Sequence, residues 1–282
     1  MAASPISVVI RTRNEGRDLR SVLDGIAAQD WDGGVDVIVV DSGSTDDTLQ
    51  IAQAGGARVI SIEPEEFSFG RALNVGIGAS TGELISILNG HTPPVGRTLF
   101  SSFAQHFVDA QVAGVGGREG PTRWCNPCEA HDRDDYYTLE PVPGRLVFSN
   151  GNSMVRRSVW EQFPFDEDLP GTEDIEWALR VMAAGLEVRY EPRAEVVHCH
   201  SASPRYVYKR FYREELWLVK SGTRTPMRIR GTAKCFLKSC ARDALYAMRR
   251  RMNPLWLPYI PVYRGAQTLG ALRAGRRVLR ES

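Results

Sequence analysis

Apolar runs along this 282-residue chain predict an α/β protein: a mostly parallel sheet flanked by helices, followed by a C-terminal helical, basic extension. Three observations carry that expectation. Short runs rich in Val and Ile alternate with segments of helical period through the first 116 residues. The runs are apolar at consecutive positions, as strands covered on both faces are. The net charge of +1 hides a split, because residues 1–204 hold 16 Lys+Arg against 30 Asp+Glu while residues 205–282 hold 19 against 4.

The elements follow in order. Ile6 to Ile10 is a β-branched strand, and Leu19, Val22, Leu23 and Ile26 give Gly16 to Ala28 a helical period. Val35 to Val40 is a second strand, after which the Ser44–Thr45 region is placed to cap a helix reaching about Ala54. Arg58 to Ile62 is a third strand, Arg71 to Ala79 a helix, and Leu84 to Leu88 a fourth strand. Val95 to Asp109 reads as a helix and Val112 to Val115 as a fifth strand. Residues 118–145 lack a clear period and read as a long loop, a feature usually functional or mobile. Order resumes at Leu146 to Met154. A helix near Glu173 to Ala184 stops at Gly185, and Val188 to Tyr190 and Ala194 to Val197 are two short strands. Beyond them lie an aromatic-rich helix (Tyr206, Tyr208, Phe211, Tyr212, Trp217), a basic amphipathic helix over Ala233 to Met252, and a last basic helix ending at Ser282.

Composition excludes several classes. With 43% hydrophobic residues and balanced charge the chain is not disordered, and five cysteines are too few and odd in number for a secreted disulfide scaffold. No apolar run approaches the roughly 20 residues of a membrane span. Met1 to Pro5 shows no charged and apolar leader, so the expectation is a reducing, cytoplasmic location.

Ligands of such sheets bind beyond the carboxyl ends of the strands. There the sequence places Arg11 to Glu15, Asp41 with Ser42, Ser44 and Thr45, and Asn89 to His91. Three polar sets meeting at one edge suit a polar, phosphorylated ligand such as a nucleotide.

These residues fall into a familiar order. Val8 to Glu15 (VVIRTRNE), Val39 to Asp46 (VVDSGSTD), Phe69 to Gly76 (FGRALNVG), Phe148 to Ser153 (FSNGNS), Phe165 to Trp177 (FDEDLPGTEDIEW) and Val197 to Ser201 (VHCHS) together resemble the family 2 glycosyltransferases of the GT-A fold, in particular their rhamnosyltransferase-like branch. The resemblance covers about residues 5–203. It implies a GT-A-like domain over 1–204, with nucleotide-sugar binding in 1–116 and the acceptor and catalytic part in 117–204, while 205–282 lies outside it. The implied activity is transfer of a sugar from a nucleotide diphosphate donor, with UDP- or dTDP-sugars favoured, to a hydroxyl of a glycan, lipid-linked or natural-product acceptor. The anomeric centre would be inverted.

Carried over residue by residue, the resemblance implies donor contacts at Thr12, Asn14, Glu15, Asp41, Arg71, Asn74 and Asn89. An arginine offsets diphosphate charge well. Glu173 and Asp174 match the family's acidic pair beside the acceptor. Single displacement needs one base for the attacking hydroxyl, and Asp174 is assigned that role, with Glu173 positioning it or binding the acceptor. Asn150, Asn152 and Trp177 are expected on the acceptor side, although Trp177 equally suits a core position. The sequence departs from the family at Asn89-Gly90-His91, where a metal-binding carboxylate is usual. Imidazole suits Mn²⁺ better than Mg²⁺. Three alternatives stay open: His91 and His198 hold a Mn²⁺-like divalent cation, they act without metal, or the site is degraded and the chain is a non-catalytic nucleotide-sugar binder.

Cys125 and Cys128 have zinc-like spacing, and His131, Asp132, Cys199 or His200 could complete four ligands, but a single Cys-x-x-Cys is a poor signal. Cys235 and Cys240 read as small helix residues. The basic tail either meets an anionic membrane surface, placing the protein peripherally on it, or docks as a helical cap on the acidic body. A nucleic-acid partner is not expected, since no DNA-reading motif is present and the acidic body repels phosphate.

Overall fold

The computed structural model describes residues 4–200, 203–227 and 232–281. The expectations at Met1, at Ser201 of the last motif and at Ser282 lie outside them. Its elements in chain order are β1 (Ile6–Thr12), α1 (Gly16–Ala27), β2 (Val35–Asp41), α2 (Thr48–Ala54), β3 (Arg58–Ser61), α3 (Phe69–Ala79), β4 (Leu84–Asn89), α4 (Leu99–Ala104), β5 (Val112–Gly120), α5 (Pro127–Tyr136), β6 (Asn152–Arg156), α6 (Arg157–Trp160), α7 (Glu173–Ala183), β7 (Glu187–Val197), α8 (Pro204–Lys220), α9 (Thr232–Arg249) and α10 (Tyr259–Glu281). The chain forms two compact units. One holds residues 1–120 and 136–198, the other 121–135 and 199–282. The C-terminal unit therefore begins at 199 rather than 205, and it takes in a segment from the middle of the chain.

The N-terminal unit is built on one seven-stranded sheet of order β3-β2-β1-β4-β6-β5-β7. β1 pairs in parallel with β2 and β4, and β5 with β7, while β6 runs antiparallel to β4 and β5. Side chains alternate across each strand. Ile6, Val8 and Ile10 join Leu19, Val22 and Phe100 in a core on one face. Val9, Ile38 and Ile87 join Leu73, Ile77 and Trp177 in a core on the other. Burial on both faces explains the unbroken Val/Ile runs.

Four sequence expectations change, each for a local reason. The helix after β4 begins at Leu99, not Val95, because Pro94 bridges Val196 and the Val95 amide donates to the Glu195 carbonyl, which holds this stretch extended. The two short strands near 190 are one strand, β7. Its register against β5 slips between Gly117 and Arg118, and the bulge so formed accommodates Pro192. Ser44 does not cap α2: its hydroxyl donates to Asp41 and accepts from the Asn14 amide. Within the expected loop 118–145, α5 forms, opened by Asn126-Pro127-x-Glu129. Asn126 Oδ1 accepts from the Glu129 amide at 3.0 Å, and Pro127 supplies a first-turn residue that needs no amide partner.

The C-terminal unit packs Cys128, Val207, Ile260 and Tyr263 with Phe211 and Ala244. A charged cluster runs through it. Arg264 is buried and bonds both oxygens of Asp243, at 2.6 and 2.9 Å, and both of Asp132, at 2.9 and 2.8 Å. His131 Nδ1 meets Asp243 at 2.8 Å. Burial would raise the Asp243 carboxyl, but its bonds to Arg264 and the neighbouring cation hold it below the usual range. No described helix is long and apolar enough to cross a membrane.

Candidate active site

Strand order reverses at β1. The chain lays down β1, then β2 and β3 to one side, then β4 on the other. Such a switch point opens a crevice at the carboxyl ends of the two middle strands. β1 ends there with Arg11 and Thr12, and β4 with Asn89, which is in register with Arg11.

Beyond β4, His91 turns toward His198, which follows β7. Their Nε2 atoms lie 3.0 Å apart, with the rings edge to face. Each Nδ1 has a carboxylate: Glu15 at 2.5 Å from His91 and Glu119 at 2.7 Å from His198. A carboxylate on Nδ1 fixes the tautomer that leaves Nε2 as a bare acceptor. Two imidazole nitrogens at 3.0 Å either share a proton or take a cation between them. Two nitrogens bound at right angles to one ion, at about 2.1 Å each, stand about 3.0 Å apart. The donor set therefore fits a divalent ion that accepts imidazole. Two glycines make the approach possible. A Cβ on Gly90 would strike the Glu15 carboxylate and the Thr12 hydroxyl, and one on Gly151 would come within 2.7 Å of Glu119 Oε1 and 3.2 Å of the His198 ring.

The acidic pair opens α7. It follows Thr172, a β-branched residue held at φ 69°. Strain of this kind costs of order 1–3 kcal/mol and gathers at functional sites. Glu173 is buried and takes Arg11 Nη1 at 3.1 Å, while Arg11 Nη2 reaches Asn89 Oδ1 at 3.0 Å. Asp174 accepts from the Asn150 amide at 3.3 Å and from the Ile175 amide at 2.8 Å. Burial, then the neighbouring Glu173 charge, push the Asp174 carboxyl up to about 7, against the pull of those two amides and Arg11. A carboxylate that changes protonation near neutrality is suited to general base work. Arg11 thus links Glu173 to Asn89 across the edge, with Asp174 and His91 close by in sequence at either end.

The structure brings Thr12, Glu15, Asn89, His91, Asn150, Glu173, Asp174 and His198 into this set. Glu15, expected at the donor, divides its carboxylate between His91 and the Thr12 hydroxyl at 3.1 Å. Asn150 is 1% exposed; its amide group donates to Glu173 at 3.2 Å, so it braces the acids rather than facing an acceptor. Asn14 and Asp41 build the neighbouring turn. Asn14 Oδ1 accepts from the Thr45 amide at 2.7 Å, and Asp41 accepts from the amides of Gly43 and Ser44.

Four expected contacts stand elsewhere. Trp177 is fully buried, stacked on Phe148 at 5.2 Å and donating to the Phe163 carbonyl, so its faces are taken by the core. Asn74 spends every donor and acceptor on Phe165, Glu167 and Trp160 and clamps the loop before α7. Asn152 is buried in the sheet and donates to the Arg118 and Ala194 carbonyls across the β5–β7 slip. Arg71 is half exposed and pairs with Glu66 and Glu167. In the C-terminal unit, Cys125 forms a disulfide with Cys199 and not a zinc site with Cys128, whose thiol is buried and faces the Ile260 carbonyl. There His200 is bound to Glu129 at 2.7 Å.

The glycosyl transferase family 2 model matches residues 7–163, more than half of the chain. This protein belongs to glycosyltransferase family 2. The glycosyltransferase is 28% identical over 221 residues to the O-antigen chain rhamnosyltransferase RfbN of Salmonella typhimurium, covering 73% of this chain and 70% of that one. It is 31% identical over 189 residues to the O-antigen chain rhamnosyltransferase WbaN of Salmonella anatum, covering 62% and 60%. Among solved structures, a Pyrobaculum calidifontis mannosyltransferase in complex with GDP-mannose and Mn²⁺ superposes with a TM-score of 0.64 at 19% identity, over 98% of this chain and 87% of that one. Glucosyl-3-phosphoglycerate synthase of Mycobacterium tuberculosis, with Mn²⁺, UDP-glucose and phosphoglyceric acid, gives 0.57 at 23% identity, over 78% and 80%. The fold of this glycosyltransferase is thus GT-A-like.

Two residues of the site carried no signal strong enough to be chosen from the sequence. Arg11 sits inside the first motif but reads as one more strand-end charge. Glu119 lies in a glycine-rich run near the end of β5, and only the fold brings it to His198.

Proposed function

We propose that this glycosyltransferase moves a sugar from a nucleotide diphosphate donor to an acceptor hydroxyl by single displacement, with inversion. The carrying observation is the half-buried Asp174, whose carboxyl is raised to about 7 beside the crevice where β1 and β4 part. The acceptor oxygen attacks the anomeric carbon, the bond from that carbon to the diphosphate oxygen breaks, and the nucleoside diphosphate leaves. The hydroxyl proton passes to Asp174. Glu173, fixed by Arg11 and Asn150, keeps that carboxylate basic by its negative charge. His91 and His198 would hold a divalent cation, Mn²⁺ in preference to Mg²⁺, which when bound offsets charge on the leaving diphosphate. Thr12, Asn14 and Asp41 border the nucleoside side of the crevice. UDP- and dTDP-sugars are the favoured donors, and the acceptor is a glycan, a lipid-linked glycan or a natural product. The basic C-terminal residues meet an anionic membrane surface.

Donor turnover with EDTA or Mn²⁺, in wild type and Asp174→Asn, tests this reading. Loss of the base is expected to lower turnover about 10²–10⁴-fold. Wild-type rate should rise with pH through about 7, and the variant should lose that limb. Stability moves the other way. Between pH 4 and 7 the native state holds more protons than the unfolded one, so wild-type stability falls as pH rises. Asp174→Asn should therefore be about 4 kcal/mol more stable than wild type at pH 8 and equal to it below pH 4. Unchanged turnover in Asp174→Asn would remove Asp174 as the base.

A further inference from the structure

Helix α9 buries only Asp243 and Ala247 among its 18 residues. The side opposite them carries an apolar stripe. At about 100° per residue, Leu237, Ala241, Leu245 and Met248 fall within an arc of roughly 80°. Leu237 and Met248 are 66% and 62% exposed, and Leu255, just past the helix, is 82% exposed. An apolar row this exposed on a folded unit calls for an occupant.

The charges on the helix identify that occupant. Arg242 and Arg250, toward the buried side, are paired with Asp135 and Asp134. Lys234 falls within the apolar stripe and Lys238 and Arg249 flank it, and neither they nor Arg251 form an ion pair among the described residues. The cations in and beside the stripe are thus the uncompensated ones. At the end of α9 the chain turns through Arg251 at φ 52°, over a cavity of about 400 Å³ lined by Met248, Met252 and Leu257. Arg251 adds a cationic residue to the lining of that hollow.

We infer that the α9 face bearing Leu237 and Met248, with Lys234, Lys238 and Arg249 in and beside it and Arg251 and Leu255 just past its end, lies on an anionic lipid bilayer, and that the hollow lined by Arg251 takes an acyl chain. This rests on the reading that the C-terminal residues meet an anionic surface, and it names the surface that does so. An interfacial helix needs this pairing of an apolar row with a basic flank. A nucleic acid would leave the aliphatic row unused, and a second copy would bring like charges together.

The test is co-sedimentation of the full chain with phosphatidylcholine vesicles and with mixed phosphatidylcholine–phosphatidylglycerol vesicles. The wild type should bind only the mixed vesicles and release them in high salt. Each cation removed should weaken binding about fivefold. The variant with Lys234→Gln, Lys238→Gln, Arg249→Gln and Arg251→Gln should therefore fail to sediment, with its unfolding midpoint and donor turnover unchanged. Leu237→Ser with Met248→Ser and Leu255→Ser should also weaken binding. Wild type that ignores both vesicles would overturn this proposal together with the membrane reading. Binding to mixed vesicles that survives the quadruple substitution would overturn this face alone. Tighter binding to single-stranded RNA through the same cations would replace the bilayer with a nucleic acid.

Discussion

The N-terminal unit contains three histidines bound to carboxylates, His91, His106 and His198, and the C-terminal unit two, His131 and His200, and they are used differently. In the N-terminal unit, His91–Glu15 and His198–Glu119 turn their remaining nitrogens toward one another at 3.0 Å. In the C-terminal unit, His131 has Asp243 on Nδ1, and its Nε2 faces Arg242 at 3.4 Å. The building block is one, an imidazole oriented by an acid. What the rest of the ring faces decides its use. A second imidazole makes a donor pair for a cation, whereas a guanidinium repels a cation and leaves a structural link. Histidine beside carboxylate is therefore not in itself a metal signal.

The comparison is broken most forcefully in the C-terminal unit. Arg264→Met leaves Asp132 and Asp243 facing each other without their cation, and removing one member of a buried ionic cluster costs about 3–5 kcal/mol. Thermal or denaturant unfolding should register that loss while Mn²⁺ affinity in the folded protein stays unchanged. A smaller effect sharpens the N-terminal side. Glu119→Gln keeps the shape but weakens the orientation and basicity of His198, which should reduce Mn²⁺ affinity about 10–100-fold by calorimetric titration. An unchanged affinity would confine Glu119 to packing.

Much of the N-terminal unit was legible from its residues. Val/Ile runs mark β1, β2 and β4 because their cores are covered on both faces, while β3 at the sheet edge is only partly buried, and the polar residues after β1, β2 and β4 mark the crevice. Glu173 and Asp174 were found through their motif, and their place at the crevice follows from α7 starting where it does. The failures share a cause. Trp177, Asn74 and Asn152 are residue types that chemistry uses, but here they fill a core, clamp a loop and staple a sheet slip. Residue type does not reveal whether hydrogen-bonding capacity is already spent. α5 was missed because its signal is a cap, Asn126-Pro127-x-Glu129, with little apolar period behind it. Cys125 pairs with Cys199, 74 residues away, because the fold and not local spacing sets thiol proximity.

The central claim is that His91 and His198 form a cation site while His131, with Asp243, does not. Electron paramagnetic resonance of Mn²⁺ added to the full chain, read for coupling to imidazole nitrogen, tests it directly. The account predicts nitrogen coupling in wild type and in His131→Ala, and its loss in His91→Ala and in His198→Ala. Coupling that survives both substitutions at the sheet edge, or that disappears in His131→Ala, would contradict it.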